Sequence, residues 1–368
     1  MRAEDCAPLV RAIALAEQVR GTTTPNPAVG CVLVREGEIV GEGATRPVGG
    51  AHAEVVALRA AGSRARGACA YVTLEPCAHH GRTPPCTDAL IAAGVVRVVH
   101  ACADPNPPAA GGAVTLRAAG VEVVGPDAIS PLLADTVTAQ LEGFLSVVSR
   151  GRPHVTLKLA QTADGQLTAP DGERWITGPA ARRAVHRWRA TVDAVLVGSG
   201  TVRSDDPQLD VRHVPAVVQP RPVVVDTRLR TPCDARVVRP GLLLVTAAGA
   251  SKHGAWRERR DALEAAGAQL VEVACGPDGR LDLAAGLAAL ADHGICAVFA
   301  EPGRRLAEAL LGADLVDRVV LHVAVGLGGL GMAPAVDLPT GPGWRLERVG
   351  GAGPDVVWQV RRGLDGAR

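Results

Sequence analysis

Short apolar runs alternate with amphipathic stretches along nearly the whole of this sequence. The spacing predicts a helix over Pro8–Arg20, then a turn-rich "TTTPNPAVG" and a strand, "CVLVRE". A Gly-rich turn follows, then a helix over "AEVVALRAAG" that Gly62 closes. "CAYVTLEP" reads as a buried strand ended by proline, "TDALIAAG" as a short helix, and "VVRVVHA" as another strand. "AVTLRAAG" and "VEVVG" repeat helix then strand. Strands that alternate with helices imply a layered α/β fold.

The pattern breaks at "SRGRPH", residues 149–154, a polar segment with Gly and Pro that reads as an interdomain linker. A second alternation follows. Strands are expected at Val155–Leu159, Ala194–Val197, Pro222–Asp226, Leu242–Thr246, Gln269–Val273, Cys296–Glu301 and Val316–Val325. Helices are expected at Pro179–Ala190, Ala255–Ala266, Leu281–His293 and Arg304–Leu311. Arg345–Val349 and Val356–Arg361 look like closing antiparallel strands. A length of 368 residues agrees with two α/β domains rather than one.

Composition narrows the partners more than the fold. Aromatic residues make up 2% of the chain, so Ala, Val and Leu must build the cores. The net charge is +1 with no basic or acidic block, which argues against a nucleic-acid partner held by a broad field. No run of 18 apolar residues occurs, so no membrane span is expected. "MRAEDCAPLV" lacks the apolar stretch of a secretory signal, which points to a cytoplasmic protein with reduced thiols. Cys6, Cys69, Cys102, Cys233, Cys275 and Cys296 are then expected as small buried hydrophobes.

The chemistry concentrates in "GGAHAEVVAL" and "EPCAHHGRTPPC". His52 stands at a helix start with Glu54 two residues on; Cys77 follows a strand and a proline; Cys86 opens a helix. Zinc favours thiolate and imidazole ligands, and a catalytic site leaves its fourth position to water. His52, Cys77 and Cys86 supply three such ligands. Glu54 beside them can move a proton from that water to a leaving amine, the logic of hydrolytic deaminases on nitrogen heterocycles. The eight residues between the cysteines depart from the usual Cys-x-x-Cys. A Cys77–Cys86 disulfide, or a structural zinc closed by His79 or His80, would also use this loop.

Taken with "TPNPAVGCVLV", "YVTLEPCAHHGRTPPC" and "DPNP", these motifs resemble the bifunctional deaminase/reductase family of riboflavin biosynthesis. The resemblance covers nearly the whole chain. It implies a cytidine-deaminase-like α/β/α zinc domain over residues 1–148 and a dihydrofolate-reductase-like α/β domain using NADPH over residues 149–368. It implies a phosphorylated ribosylaminopyrimidine substrate, deaminated at the ring carbon bearing the 2-amino group and then reduced from ribose to ribityl. Asn26 would hydrogen-bond the pyrimidine and Arg82 would hold the anionic substrate. A homo-oligomer is expected.

"LKLAQTADGQLT", "RWITGPAARRAVHRWRA" and "VLVGSGTVRSDDPQLDVR" extend the resemblance. It implies Lys158 and Glu301 as the catalytic charges of the reduction. Ala160, Trp175, Thr201, Asp205, Thr227 and Gly303 would contact NADPH, and Glu173, Arg189, Leu209 and Arg212 the substrate. Gly303 opens a helix after a strand, a sensible phosphate cradle. "GLGGLG", Gly326–Gly331, satisfies G-x-G-x-x-G, but prolines follow where a dinucleotide fold needs a helix, so it reads as a loop.

Three positions depart from the family pattern. Thr45 replaces a histidine, Glu173 a serine, and Pro302 a glycine ahead of the phosphate helix. They leave open a related enzyme of specialised metabolism acting on another pyrimidine, with a weakened reductase half. An intact Glu54 disfavours a non-catalytic zinc scaffold.

Overall fold

The computed structural model of the chain describes residues 2–79, 84–167, 175–248, 254–276, 278–325 and 343–363. The chain divides into two units, Met1–Gly151 and Arg152–Arg368. Among the described residues no helix is long and apolar enough to cross a membrane.

The first unit runs α1 (Cys6–Gln18), β1 (Gly30–Arg35), β2 (Glu38–Ala44), α2 (Ala53–Ala61), β3 (Cys69–Val72), α3 (Cys86–Ala92), β4 (Arg97–His100), α4 (Gly112–Ala118), β5 (Glu122–Val124) and α5 (Pro131–Arg150). Its sheet has the order β2-β1-β3-β4-β5. Strand β1 is antiparallel to both β2 and β3, while β3, β4 and β5 are parallel. Val32, Leu33, Ala70, Val72, Val98 and Val99 are fully buried, and helices α1, α2 and α5 add Leu9, Ala57 and Leu141 to the same core.

Two elements of this unit differ from the sequence expectation. The Gly-rich stretch after β1 is not a turn but strand β2. Its glycines are there because α2 lies directly on it: a Cβ at Gly41 would stand 2.3 Å from the Ala57 carbonyl oxygen, and one at Gly43 2.3 Å from that of Ala53. Glycine weakens strand propensity, which hid the strand, yet it permits the close approach. Gly43→Ala is therefore expected to destabilise the protein by about 2–3 kcal/mol. It should also lower zinc occupancy, because the shifted helix turn carries His52 and Glu54. Denaturant unfolding and metal analysis check this; unchanged zinc content with unchanged stability would contradict it. The second difference is α5, which runs through Ser149 and Arg150 of the expected linker. Ser130 precedes its Pro131 start and Gly151, at φ 65°, ends it, so only residues 151–153 connect it to the next strand.

The second unit runs β6 (His154–Thr162), α6 (Pro179–Arg189), β7 (Ala194–Gly198), α7 (Ser199–Asp205), β8 (Arg221–Val225), β9 (Leu243–Ala247), α8 (Gly254–Ala265), β10 (Gln269–Val273), α9 (Leu283–Asp292), β11 (Ala297–Ala300), α10 (Arg304–Gly312), β12 (Arg318–Ala324), β13 (Trp344–Ala352) and β14 (Asp355–Arg362). Its sheet has the order β10-β9-β8-β7-β11-β6-β12-β14-β13. All pairs are parallel up to β12, and β14 and β13 close it antiparallel, as the sequence pattern suggested. "GSGT" begins helix α7 rather than a turn. Alternate residues of β6, namely Val155, Leu157 and Leu159, enter one core with Val319 and Leu321 of β12. The opposite face of β6 carries Lys158 and Ala160. Lys158 is thus on an interior strand and not on a sheet edge.

Most of the cysteines expected to be buried are not. Cys6, Cys233 and Cys275 are exposed, and Cys69 and Cys102 are half-buried; only Cys296 of that group is buried. Cys6 begins α1, Cys69 begins β3, and Cys102, Cys233 and Cys275 lie outside the named helices and strands, where burial is not forced by the pattern of neighbours. All nine cysteines are unpaired, so Cys77 and Cys86 form no disulfide.

Candidate active sites

The topology of the first unit gathers its chemistry at one end of the sheet. Because β1 is antiparallel to β3, the segment before β1 meets the segment after β3. Thr73 fixes this junction: its N–H donates to the Gly30 carbonyl (3.1 Å) and its hydroxyl accepts the Gly30 N–H (3.1 Å). β2, antiparallel to β1, returns Thr45 to the same end, where the Thr45 hydroxyl accepts the Val29 N–H. The loop after β3 is clamped in turn. The Glu75 carboxylate accepts N–H groups from Ala113 (2.8 Å) and Asp104 (3.2 Å). Gly112 makes room for the Pro76 carbonyl, to which a Cβ would stand 1.8 Å away.

His52, Cys77 and Cys86 converge within this frame. His52 caps the start of α2, and Cys86 begins α3. The His52 Nδ1 lies 3.3 Å from the Cys86 Sγ and 3.7 Å from the Cys77 Sγ, and all three ligand atoms fall within 4.8 Å of one another. Tetrahedral zinc with ordinary Zn–N and Zn–S bonds needs N to S separations of about 3.6 Å, so the donor set fits zinc with little movement. The first N–H of α3, from Cys86, points at the Cys77 sulfur (3.4 Å). The Cys77 thiol is pulled down to about 4, chiefly by the Cys86 thiol that bonds to it, and Cys86 is pushed up as the donor of that pair. His52 is raised, first by its bond to Cys77. Neither His79 nor His80 is needed to complete the set: His79 lines the adjoining cavity, and His80 lies outside the described residues.

Glu54 sits one helical step beyond His52 and is 4% exposed. Burial is the main cause that lifts its carboxyl to about 7; the neighbouring Cys77 adds to it. It borders a cavity of 540 Å³ together with His52, Cys77, Asn26, Thr45, His79 and Asp104. Phe144 of α5 also lines it, a residue with no local motif to announce it. Arg82 lies outside the described residues. Thr45 does border the cavity, but its hydroxyl is occupied by the Val29 backbone.

In the second unit Thr227 follows β8, and Glu301 and Gly303 follow β11, at the carboxyl ends where open α/β sheets bind ligands. Lys158 lies on β6, and Glu301 directly follows β11, the neighbouring strand. The Arg189 Nε donates to Glu301 Oε1 (2.6 Å), and its Nη1 donates to the Asp210 carbonyl (2.9 Å). Burial lowers the Lys158 pKa, Glu301 opposes that fall, and Arg189 adds to it. Burial alone would raise Glu301, but the Arg189 guanidinium overrides it and the carboxyl is net lowered. Gly303 caps α10, and a Cβ there would stand 3.5 Å from the Thr201 hydroxyl in the first turn of α7. Free N–H groups of these helix starts suit the phosphates of a dinucleotide.

The remaining expected contacts divide. Ala160 and Thr227 are half-buried, and Asp205 and Arg212 are exposed near α7. Trp175 is 52% exposed over the Arg182 guanidinium (5.1 Å), so it is not a core residue. The Leu209 side chain is 1% exposed and inside a core, at φ 54°, so only its backbone can face a ligand. Glu173 and the "GLGGLG" loop lie outside the described residues. Sequence reasoning passed over His186, whose Nδ1 accepts the Arg212 N–H (3.1 Å), and His322.

Comparison with known proteins adds to this geometry. Residues 4–102 match the cytidine and deoxycytidylate deaminase zinc-binding region, and residues 153–358 match the RibD C-terminal domain. Riboflavin biosynthesis protein RibD of Escherichia coli (strain K12) is 41% identical over 372 residues, covering 95% of this chain and 96% of that one. Acinetobacter baumannii RibD, form 1, superposes with a TM-score of 0.84 at 37% identity, covering 98% of this chain and 99% of that one. A diaminohydroxyphosphoribosylaminopyrimidine deaminase/5-amino-6-(5-phosphoribosylamino)uracil reductase from Thermotoga maritima superposes with a TM-score of 0.81 at 31% identity, with the same coverage.

Proposed function

The chain belongs to the RibD family, and from that premise we propose how its residues divide the work of a bifunctional deaminase/reductase of riboflavin biosynthesis. The protein is an enzyme that uses zinc and NADPH. We assign deamination to the first unit and reduction to the second, and the substrate class to a phosphorylated ribosylaminopyrimidine, as named for the Thermotoga relative.

The observation that carries the first assignment is the buried Glu54 beside a three-ligand His52–Cys77–Cys86 set on an open cavity. When bound there, zinc supplies the Lewis acidity that lets a water lose its proton near neutral pH. Glu54 takes that proton and delivers it to the leaving amine. Asn26 faces the pyrimidine across the cavity, and Arg82 remains a candidate for the anionic end of the substrate. In the second unit NADPH supplies the hydride. Lys158 holds the substrate oxygen, Glu301 fixes Lys158 and Arg189, and Arg189 with Arg212 receives the phosphorylated sugar. Ala160, Trp175, Thr201, Asp205, Thr227 and Gly303 are proposed to border the cofactor.

Removing the metal separates the halves. Dialysis against a zinc chelator is expected to abolish ammonia release, while NADPH oxidation on pre-deaminated substrate stays within about twofold, because among the described residues the zinc-binding set His52–Cys77–Cys86 lies wholly in the first unit. Zinc should restore the first activity. Loss of both activities together, with folding intact, would count against this division.

We further propose a homo-oligomer in a reducing compartment such as the cytoplasm. Leu346, Val349, Val356 and Trp358 expose apolar surface on the two outer strands β13 and β14, and nine unpaired thiols suit a reducing environment. Light scattering of the wild type checks the first point; a monomer at micromolar concentration would refute it.

A further inference from the structure

His322 of β12 is 1% exposed, and among the described residues neither of its ring nitrogens has a hydrogen-bond partner. A buried imidazole with both nitrogens unmatched is an unusual cost, since buried polar groups are nearly always paired. Its place makes the cost informative. In the β6–β12 ladder His322 stands opposite Ala160, and Val320 opposite Lys158. Paired residues of a ladder share a face, and so do residues two apart on one strand. His322, Ala160 and Lys158 therefore belong to one face, the one that does not enter the β6–β12 core. Ala160 and Lys158 are only half-buried, so this face of the sheet is reachable next to the ring.

We propose that His322 is a ligand-binding residue of the reductase site, hydrogen-bonded to the carboxamide of the bound nicotinamide. This rests on the assignment of the Lys158 face to reduction. The order of strands β11-β6-β12 puts His322 on the far side of Lys158 from Glu301 and Arg189, which carry the charges suited to the anionic substrate. The group left for His322 is neutral. Burial, with the Lys158 charge as a second cause, lowers the imidazole to about 4, so at neutral pH it presents one donor and one acceptor. A carboxamide offers the matching acceptor and donor. A phosphate would suit a cation instead.

The test uses the full-length zinc-loaded protein. In the wild type, the His322 ring nitrogens are followed by long-range ¹H–¹⁵N NMR during titration with NADP⁺, with the signals assigned by their loss in His322→Gln. Saturation should move at least one His322 nitrogen by several ppm. His322→Phe should weaken NADPH binding, read by fluorescence, about tenfold and lower reductase kcat/KM about 10- to 100-fold. Its melting temperature should be equal or higher, and deamination unchanged. His322→Gln should recover most of the binding. Unmoved ring signals at saturation, or wild-type NADPH affinity in His322→Phe, would overturn the proposal even where Lys158→Met abolishes reduction. A fully active Lys158→Met would instead sink the assignment of the site itself.

Discussion

Glu54→Gln should lower deaminase turnover about 10³- to 10⁴-fold, with zinc content and reductase turnover within about twofold of wild type. The magnitude follows from where Glu54 sits. Its side chain is 4% exposed in the first turn of α2, two residues from the zinc ligand His52. Hydrolytic deamination moves a proton twice, off the attacking water and onto the departing amine. A group that does both must accept and release it near working pH, and burial has set Glu54 at about 7. The glutamine amide keeps size and hydrogen-bonding reach but accepts no proton. Ammonia release by the zinc-replete variant is the measurement, with metal analysis alongside. Retention of more than a tenth of wild-type turnover would mean that another group carries the proton, and His79 on the same cavity would be the next candidate.

How much of this was readable from the sequence depends on whether the signal was local. The zinc set was, because each ligand sits beside a helix start or strand end that announces itself: His52 before α2, Cys77 after β3, Cys86 at the head of α3. Most strands were readable for the same reason, since parallel strands buried on both faces are continuous apolar runs. Strand β2 was not, because its glycines answer to the backbone of α2 and not to strand propensity. Phe144 and His322 were hidden for another reason. Each is one residue of a regular element, and only the pairing of distant segments places Phe144 on the cavity and His322 beside Ala160. Thr45 lies between these cases. The sequence flagged it as a departure, but only the structure ties its hydroxyl to the Val29 backbone. Thr45 lies on the cavity without touching the proposed proton path of Glu54 in its hydrogen bonding, since its hydroxyl is held by Val29.

Lys158→Met is expected to lower reductase kcat/KM by about 10²- to 10³-fold, the scale for removing one charged donor from a developing oxyanion. Deamination should stay within about twofold. The charge balance at this site gives a sharper test through its neighbour. Burial pulls Lys158 below its usual range, and Glu301 opposes that pull. Glu301→Gln removes the opposing charge while Arg189 remains, so the Lys158 pKa must fall further. With Lys158 acting as a cation, as proposed, reductase activity should be lost as pH rises through that pKa. The alkaline limb of the kcat/KM profile is therefore expected to move to lower pH in Glu301→Gln. A Lys158 without a role in the reaction would leave the limb unmoved. Arg189 keeps its bond to the Asp210 carbonyl in the variant, so its guanidinium stays partnered and the fold need not give way. A melting curve separates the two effects: a shifted limb with a near-native transition supports the electrostatic role. A stationary limb in a folded variant would show that Glu301 positions Arg189 alone, and that the cation of Lys158 is not tuned by it.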